Sequence, residues 1–177
     1  MDIKTINTTG WRKPHGKSIE KDSDHYVFQC YDWVYHWYHT IGKNHLNVDI
    51  CITVVNKSNK PVALFPFGIR KYFSIKVLEF LGGDQSDYHS PLISKKYISE
   101  KSVKEIWGKV NTSLPRHDIK QFIKIPEYLN DCINPVLNIW QCKISNEAFS
   151  SILPNTWDLY LETIPKRIKN DSRRQMR

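Results

Sequence analysis

The residues best suited to chemistry lie close together in one polar segment that follows a strand-like stretch. This segment holds Gly82, Gly83, Asp84, Ser86, Asp87, Tyr88 and His89. His89 could act as a general base, because an imidazole titrates near neutral pH, and Asp87 is the other candidate for a catalytic role. In the alternative interpretation Asp87 caps the loop through backbone N–H groups, and Tyr88 packs between sheet and helix. Both interpretations stay open, because no second acid or base is fixed near His89 by spacing.

Two tryptophans form a second candidate for contact with a substrate. Trp33 and Trp37 stand four residues apart, which is one helical turn. Their indole rings could stack on a substrate. Packing of a helix against a sheet is the stronger expectation for both.

Neither the histidines nor the cysteines have the spacing of a metal site. His36 and His39 could offer two imidazoles to one ion, but no acidic side chain completes the set on that helix face. The cysteines are far apart and form no C-x-x-C pair: Cys30, Cys51, Cys132 and Cys142. We therefore expect no metal, and reduced thiols that mostly fill the core of a cytoplasmic protein.

Basic residues are concentrated at the end of the chain. The 177 residues carry a formal net charge of +8, and six basic residues against Asp171 give the last twelve residues +5 of it. The basic residues are Lys166, Arg167, Lys169, Arg173, Arg174 and Arg177. This tail could grip nucleic-acid phosphates, line the approach of an anionic ligand, or be a solvated helix. The rest of the chain carries only +3, so we expect no nucleic-acid partner.

Hydrophobic periodicity predicts the elements that position these residues. Trp33, Trp37 and Ile41 recur at every fourth residue and predict a helix that ends at Gly42. Strands are predicted over residues 46–55, 60–70, 75–81, 118–125, 138–143 and 156–161, and further helices over 99–113 and 164–177. Pro66 cannot donate to a ladder, so it predicts an edge or a bulge within the second strand.

This order of elements predicts an α+β (mixed α/β) domain with a mostly antiparallel central sheet and helices packed on its faces. Residues 1–22 are expected to be polar and loose, with Trp11 as their anchor, ahead of a domain over 23–163 and the basic helix. The chain is 40% hydrophobic and 12% aromatic, which excludes a disordered or collagen-like protein. No stretch approaches the roughly 18–20 apolar residues that span a bilayer.

Three segments, in chain order, carry a resemblance to one family. They read F-Q-x-Y-x-W-V-x-x-W from residue 28, P-V-A-L-F-P-F from residue 61, and L-E-F-L-G-G-D-Q-S-D-Y-H-S-P-L from residue 78. Together they resemble the N-terminal half of the GNAT-type acyltransferases described as cellulose-biosynthesis acetyltransferase-like, which are relatives of the FemAB transferases. Residues 160–177 are similar to the basic helix that follows in that family.

The resemblance implies a GNAT-like fold and a protein of two tandem halves, with acyl-CoA or another activated donor expected at the C-terminal half. This chain would be the acceptor-side half, with a further C-terminal domain as its partner and no donor bound by it alone. The acceptor groove would be lined by Gly82, Gly83, Asp84, Ser86, Asp87, Tyr88, Trp33 and Trp37. Arg173 and Arg174 are the candidates for donor contact.

One motif of the family does not occur in this sequence. A GNAT domain usually cradles the CoA pyrophosphate with a Q/R-x-x-G-x-G/A loop after its fourth strand. The corresponding place holds Gly82-Gly83-Asp84, where Asp84 would repel a pyrophosphate. The rival hypothesis is a non-enzymatic basic module that binds nucleic acid or a protein partner through the C-terminal tail.

Overall fold

A computed structural model describes residues 1–6, 13–144, 147 and 151–175. The chain forms two compact units, Met1–Cys142 and Lys143–Arg177, which we call the first and the second unit. Trp11, the expected anchor of the N-terminal segment, lies outside the described residues.

The first unit contains a mixed sheet and three helices. Its strands are β1 (Asp2–Ile6), β2 (Asp49–Lys57), β3 (Lys60–Tyr72), β4 (Ile75–Phe80), β5 (Leu92–Ile93), β6 (Ile119–Gln121), β7 (Tyr128–Leu129) and β8 (Cys132–Ile133). Its α-helices are α1 (Lys13–Glu20), α2 (Tyr31–Trp37) and α3 (Glu100–Ser113). Shorter 3-10 turns cover Val27–Gln29, Gly83–Gln85, Lys95–Tyr97 and Pro135–Asn138, and a π-helical turn, Tyr38–Gly42, continues α2.

The sheet has the order β1-β2-β3-β4-β6, with β5 also paired to β3. Neighbours from β1 to β4 are antiparallel, whereas β6 returns after α3 and lies parallel to β4. The strands predicted over residues 46–55, 60–70 and 75–81 therefore share one sheet. The predicted α+β class with a mixed, mainly antiparallel sheet is confirmed. β7 and β8 form a separate two-stranded sheet.

Helices cover both faces of this sheet. α1 and α2 pack on one face and α3 packs on the other. On the first face the buried side chains include Ile19, Val34, Trp37, Tyr38, Ile50, Ile52, Val54, Leu64 and Leu81. On the second face they include Cys51, Val55, Phe65, Phe67, Leu78, Phe80, Val103, Ile106 and Val110. Cys51 and Thr53 of β2 are buried as well, because α3 covers their side of the sheet.

Pro66 lies inside a central strand. On one side β3 pairs with β2 from Lys60 to Ile69. On the other side it pairs first with β5 and then, from Phe67, with β4. The Pro66 carbonyl accepts a hydrogen bond from the Leu81 N–H at 2.8 Å. In a strand, the carbonyl and the nitrogen of one residue point to the same side. The nitrogen of Pro66, which carries no proton, therefore faces the gap between β5 and β4. The register irregularity of this hairpin lies elsewhere, between Val55 and Asn56.

The predicted helix over residues 99–113 is confirmed. α3 begins after Ser99, whose hydroxyl accepts from the Ser102 N–H. α2 and its π-helical extension end at Gly42 as expected, but not through a left-handed cap. A Cβ on Gly42 would lie 2.7 Å from Cζ3 of Trp37, so glycine lets the indole pack against the backbone.

Several sequence expectations are wrong. The described residues of the 1–22 segment are not loose, because β1 pairs with β2 and Ile19 of α1 is buried. Residues 138–143 form no strand. The 156–161 segment belongs to helix α4 (Trp157–Thr163), since the Thr156 hydroxyl accepts from the Leu159 N–H as an N-cap. The thiols do not mostly fill the core, because Cys132 and Cys142 are exposed.

The second unit consists of α4 and α5 (Lys166–Gln175) with the segment before them. The predicted tail helix is thus present from Lys166, but Thr163 ends α4 rather than capping α5, and its hydroxyl donates to the Tyr160 carbonyl. None of the described residues of this unit is buried. Within the described chain, no helix has the length and apolar character that crossing a bilayer requires.

Two glycine-to-alanine substitutions should have opposite effects on stability. A Cβ on Gly68 in β3 would lie 2.5 Å from Val48 Cγ1 and 2.7 Å from Leu81 Cδ2, so Gly68→Ala should destabilise by about 1–3 kcal/mol. Gly108 in α3 has nothing within 4 Å of its Cβ position, so Gly108→Ala should stabilise by about 0.5–1 kcal/mol. Urea unfolding midpoints measure both. Equal midpoints would contradict the packing described for β3.

Candidate functional site

The candidate residues lie where two parallel strands end side by side. Residues 82–89, which we call the β4 turn, follow β4, and Ile123 and Lys124 follow β6. The two segments are joined, because the His89 N–H donates to the Lys124 carbonyl at 2.8 Å. The carboxyl ends of neighbouring strands are the edge at which open α/β sheets bind ligands.

The two glycines of the β4 turn are required by its backbone. Gly82 has φ +118° and Gly83 has φ +52°, both in the left-handed region that favours glycine. A Cβ on Gly82 would lie 2.1 Å from Ser86 Oγ, and one on Gly83 would lie 3.1 Å from Trp37 Cζ2. The two glycines therefore let the backbone approach the protein's own side chains closely.

Helix α2 holds the β4 turn through two indole N–H groups. Trp33 Nε1 donates to Ser86 Oγ at 2.9 Å, and Trp37 Nε1 donates to Gln85 Oε1 at 3.0 Å. Ser86 is fully buried and Trp37 is only 4% exposed. Trp37 therefore contributes packing and one hydrogen bond to the turn, while the half-buried Trp33 keeps part of its ring accessible.

Gln29 supports the end of the turn and was not among the predicted site residues. Its buried amide Nε2 donates to the Tyr88 carbonyl at 2.7 Å, and its Oε1 accepts from the Tyr26 N–H at 2.8 Å. The Tyr88 ring is half-buried against the Tyr26 ring, with centroids 4.9 Å apart. The only sequence signal for Gln29 is its place in the F-Q-x-Y segment.

Lys124 is the second residue that the sequence did not indicate. Its ammonium Nζ donates to the carbonyl oxygens of Asp84 at 3.2 Å and of Ser86 at 3.0 Å. Forty and thirty-eight residues separate these partners, so no spacing pattern links them. The cation at this edge is thereby engaged by the turn itself.

His89 is a buried, neutral imidazole. Its Nδ1 lies 3.1 Å from the Ile123 carbonyl, an acceptor, so we assign the proton to Nδ1. Nε2 is buried and has no hydrogen-bond partner in the described structure, and it faces Gly82, 3.3 Å from the Cβ position there. Burial lowers the pKa of His89 from its ordinary 6.5 to about 4. A general-base role would require the turn to open, because Nε2 does not reach solvent.

Asp84 and Asp87 are exposed on the outer side of the turn. In the described residues no hydrogen bond is made by the Asp87 carboxylate, so it does not act as the loop cap of the alternative interpretation. The carboxylates of Asp84 and Asp87 outnumber the ammonium of Lys124, so the net charge of these three side chains is negative. Such an edge attracts a cationic ligand and repels a polyphosphate.

The remaining candidates lie in the second unit. Arg173 and Arg174 are exposed on α5, and Arg174 Nη2 lies 3.5 Å from Asp171 Oδ1. The described residues contain no group of three or more His, Cys, Asp or Glu side chains that could hold a metal ion.

Comparisons of the chain with protein-family models, with curated proteins and with solved structures find no match. An interpretation of function therefore depends on the geometry of the β4 turn and on the family resemblance of the sequence.

The Trp33–Ser86 hydrogen bond should be measurable as a coupling energy. Ser86→Ala leaves the indole N–H without its acceptor and should destabilise by about 1–2 kcal/mol, whereas the same change in a Trp33→Phe background should cost less. Urea unfolding of the four proteins gives the coupling, which we expect near 1 kcal/mol. Trp37→Phe is the matched control, because Trp37 donates to Gln85 instead. Similar coupling for both tryptophans would contradict this assignment.

His89 should make stability depend on pH. Its folded-state pKa of about 4 lies below the unfolded value of 6.5, so the unfolded chain binds more protons between these values. The unfolding free energy should therefore be highest above pH 6.5 and fall by about 3 kcal/mol as the pH drops to 4. His89→Gln should remove this part of the slope, and NMR of the His89 ring gives the pKa directly. A midpoint near 6.5 would rule out the buried neutral ring.

Proposed function

We propose that this chain is the acceptor-side half of a GNAT-type acyltransferase, whose acceptor binds at the β4 turn. The observation that carries the proposal is the position of this turn. The turn follows the fourth strand of the sheet, and the segment with the most specific family resemblance, from Leu78 to Leu92, folds into it. Its shape is held by α2, which carries the first of the resembling segments.

The turn itself does not fit a CoA donor. A pyrophosphate needs free backbone N–H groups and positive charge, whereas this turn exposes Asp84 and Asp87 and binds Lys124 internally. The ring of Trp37 occupies the space beside Gly83. We therefore assign the donor to a second domain, as the resemblance implies.

The charge of the turn favours an amine over a hydroxyl as the acceptor. A protonated amine would be attracted by the carboxylates of Asp84 and Asp87, whose exposed side chains can turn towards a ligand. In this proposal the two carboxylates bind and orient the acceptor, while Trp33 and Gln29 hold the turn that carries them. His89 acts as a positioning residue that links the turn to the end of β6.

Donor binding separates the proposal from its rival. Isothermal titration calorimetry with acetyl-CoA should show no binding to this chain, and micromolar binding to a longer protein that continues past Arg177. Absence of binding by both proteins would overturn the acyltransferase assignment.

Acceptor binding gives a second test in such a longer protein. Replacing both carboxylates as Asp84→Asn and Asp87→Asn removes charge at nearly constant shape, so KM for a primary amine acceptor should rise about tenfold with little change in kcat. Glu105→Gln with Asp131→Asn is the matched control, since both residues are exposed elsewhere on the first unit. An equal rise in KM for the control pair would contradict an acceptor site at the β4 turn.

A further inference from the structure

The second unit exposes apolar and aromatic side chains that nothing in its described part covers. Trp157 is 68% exposed and Leu153 is 69% exposed, and Ile152 is almost fully exposed. A surface of this kind on α4 and the segment before it indicates a ligand or partner. The chemistry of that ligand follows from two features of this unit, the charge of α5 and the rings of α4.

The cations of α5 lie on one face of the helix. At about 100° per residue, its five basic residues fall within an arc of roughly 160°, along a helix about 15 Å long. They are Lys166, Arg167, Lys169, Arg173 and Arg174. Of these five residues, only Arg174 has an ion-pair partner among the described residues, namely Asp171. The opposite face carries Ile168 among polar residues.

This arrangement weakens the helix unless an anion is bound. Lys169 follows Lys166 at i+3, and Arg173 follows Lys169 at i+4, and like charges at these spacings repel. A row of phosphates along the face would remove that repulsion and use all five cations. A solvated helix with no partner would gain nothing from the arrangement.

Two aromatic rings lie next to this helix in the chain. Trp157 and Tyr160 of α4 have centroids 5.3 Å apart with an interplanar angle of 34°, and they line an open groove with Leu153, Pro154, Asn155 and Thr156. The exposed indole face can receive a planar ring, as bases do when they stack on aromatic side chains. This unit therefore carries both exposed aromatic faces and a basic helix face, which are the two features that single-stranded nucleic acids bind.

A membrane surface fits this unit less well. An interfacial helix inserts a broad apolar face, and α5 has only Ile168 on a face otherwise made of Asp171, Ser172 and Gln175. The charged face alone would give weak attraction to anionic lipid. The presence of stacking rings and of a basic helix face in one unit therefore favours a polyphosphate with exposed bases.

We propose that the second unit binds single-stranded nucleic acid, with the basic face of α5 on the backbone phosphates and Trp157 and Tyr160 stacked on bases. This goes beyond the acceptor role proposed for the first unit and does not depend on it. Phosphate binding by the basic tail was one of the alternatives that the sequence left open. The helical pairing of Trp157 with Tyr160, which the strand prediction for residues 156–161 missed, adds the stacking surface.

Fluorescence anisotropy with the full chain and labelled 20-nucleotide oligo-U and oligo-dT tests the proposal. Five phosphate contacts predict that log K falls against log salt with a slope of about −3.5. Lys166→Ala, Lys169→Ala and Arg173→Ala together should reduce that slope by about two. Trp157→Ala should weaken binding about tenfold with an unchanged slope, because it removes stacking and no charge.

The control variant has the same change in net charge. Lys60, Lys96 and Lys101 are exposed on the first unit, and their joint replacement by alanine should leave the slope unchanged. Equal losses in the two triple variants would overturn the assignment to α5. Binding to phosphatidylserine vesicles without binding to either oligonucleotide would overturn it in favour of a membrane surface.

Discussion

β3 is hydrogen-bonded on both sides and covered on both faces, and the arrangement of the first unit depends on it. This strand of 13 residues pairs with β2 from Lys60 to Ile69 on one side, and with β5 and then β4 on the other. A strand with no solvated side needs apolar residues at successive positions, and β3 supplies them from Val62 to Ile69. The helices must then cover both faces, so α2 lies on one side of the sheet and α3 on the other.

The β4 turn is stabilised by polar contacts rather than by further apolar packing. Indole N–H groups, the Gln29 amide and the Lys124 ammonium each bind an oxygen of the turn, and these donors come from α2, the 3-10 turn before it and the end of β6. This leaves two carboxylates, Asp84 and Asp87, exposed on a rigid support, which suits recognition of a charged group.

Local patterns in the sequence predicted the elements whose stability is local. Ser99 and the apolar spacing after it specified α3, and alternation with short polar turns specified the strands from β2 to β4. Prediction was wrong where alternation and helical spacing coincide, as in Trp157, Leu159 and Leu161, and the N-cap at Thr156 decided for a helix. β1 was missed because its pairing with β2 spans about fifty residues.

The candidate site was predictable as a segment but not as a structure. The glycines, serine and aspartates of the β4 turn stand together in the sequence, whereas Gln29 and Lys124 reach it only through the fold. His89 has the residue type of a general base, yet its burial by Phe80 and the β6 end depends on contacts that no spacing encodes. Contacts between residues far apart in the sequence could therefore not be predicted from local sequence patterns.

Because β5 and β4 leave a gap opposite Pro66, the length of the segment between Leu81 and Leu92 does not determine the strand pairing of the sheet. The Leu81 N–H is hydrogen-bonded to Pro66 of β3, and Leu92 pairs with Leu64 of the same strand. Both ends of the segment between Leu81 and Leu92 are therefore fixed on β3, two residues apart. A loop whose ends are fixed in this way can lengthen or shorten without shifting the β3–β4 or the β3–β5 pairing, because the entropy of loop closure changes slowly with loop length. Proteins built on this arrangement could therefore diverge in ligand preference while the sheet beneath stays the same.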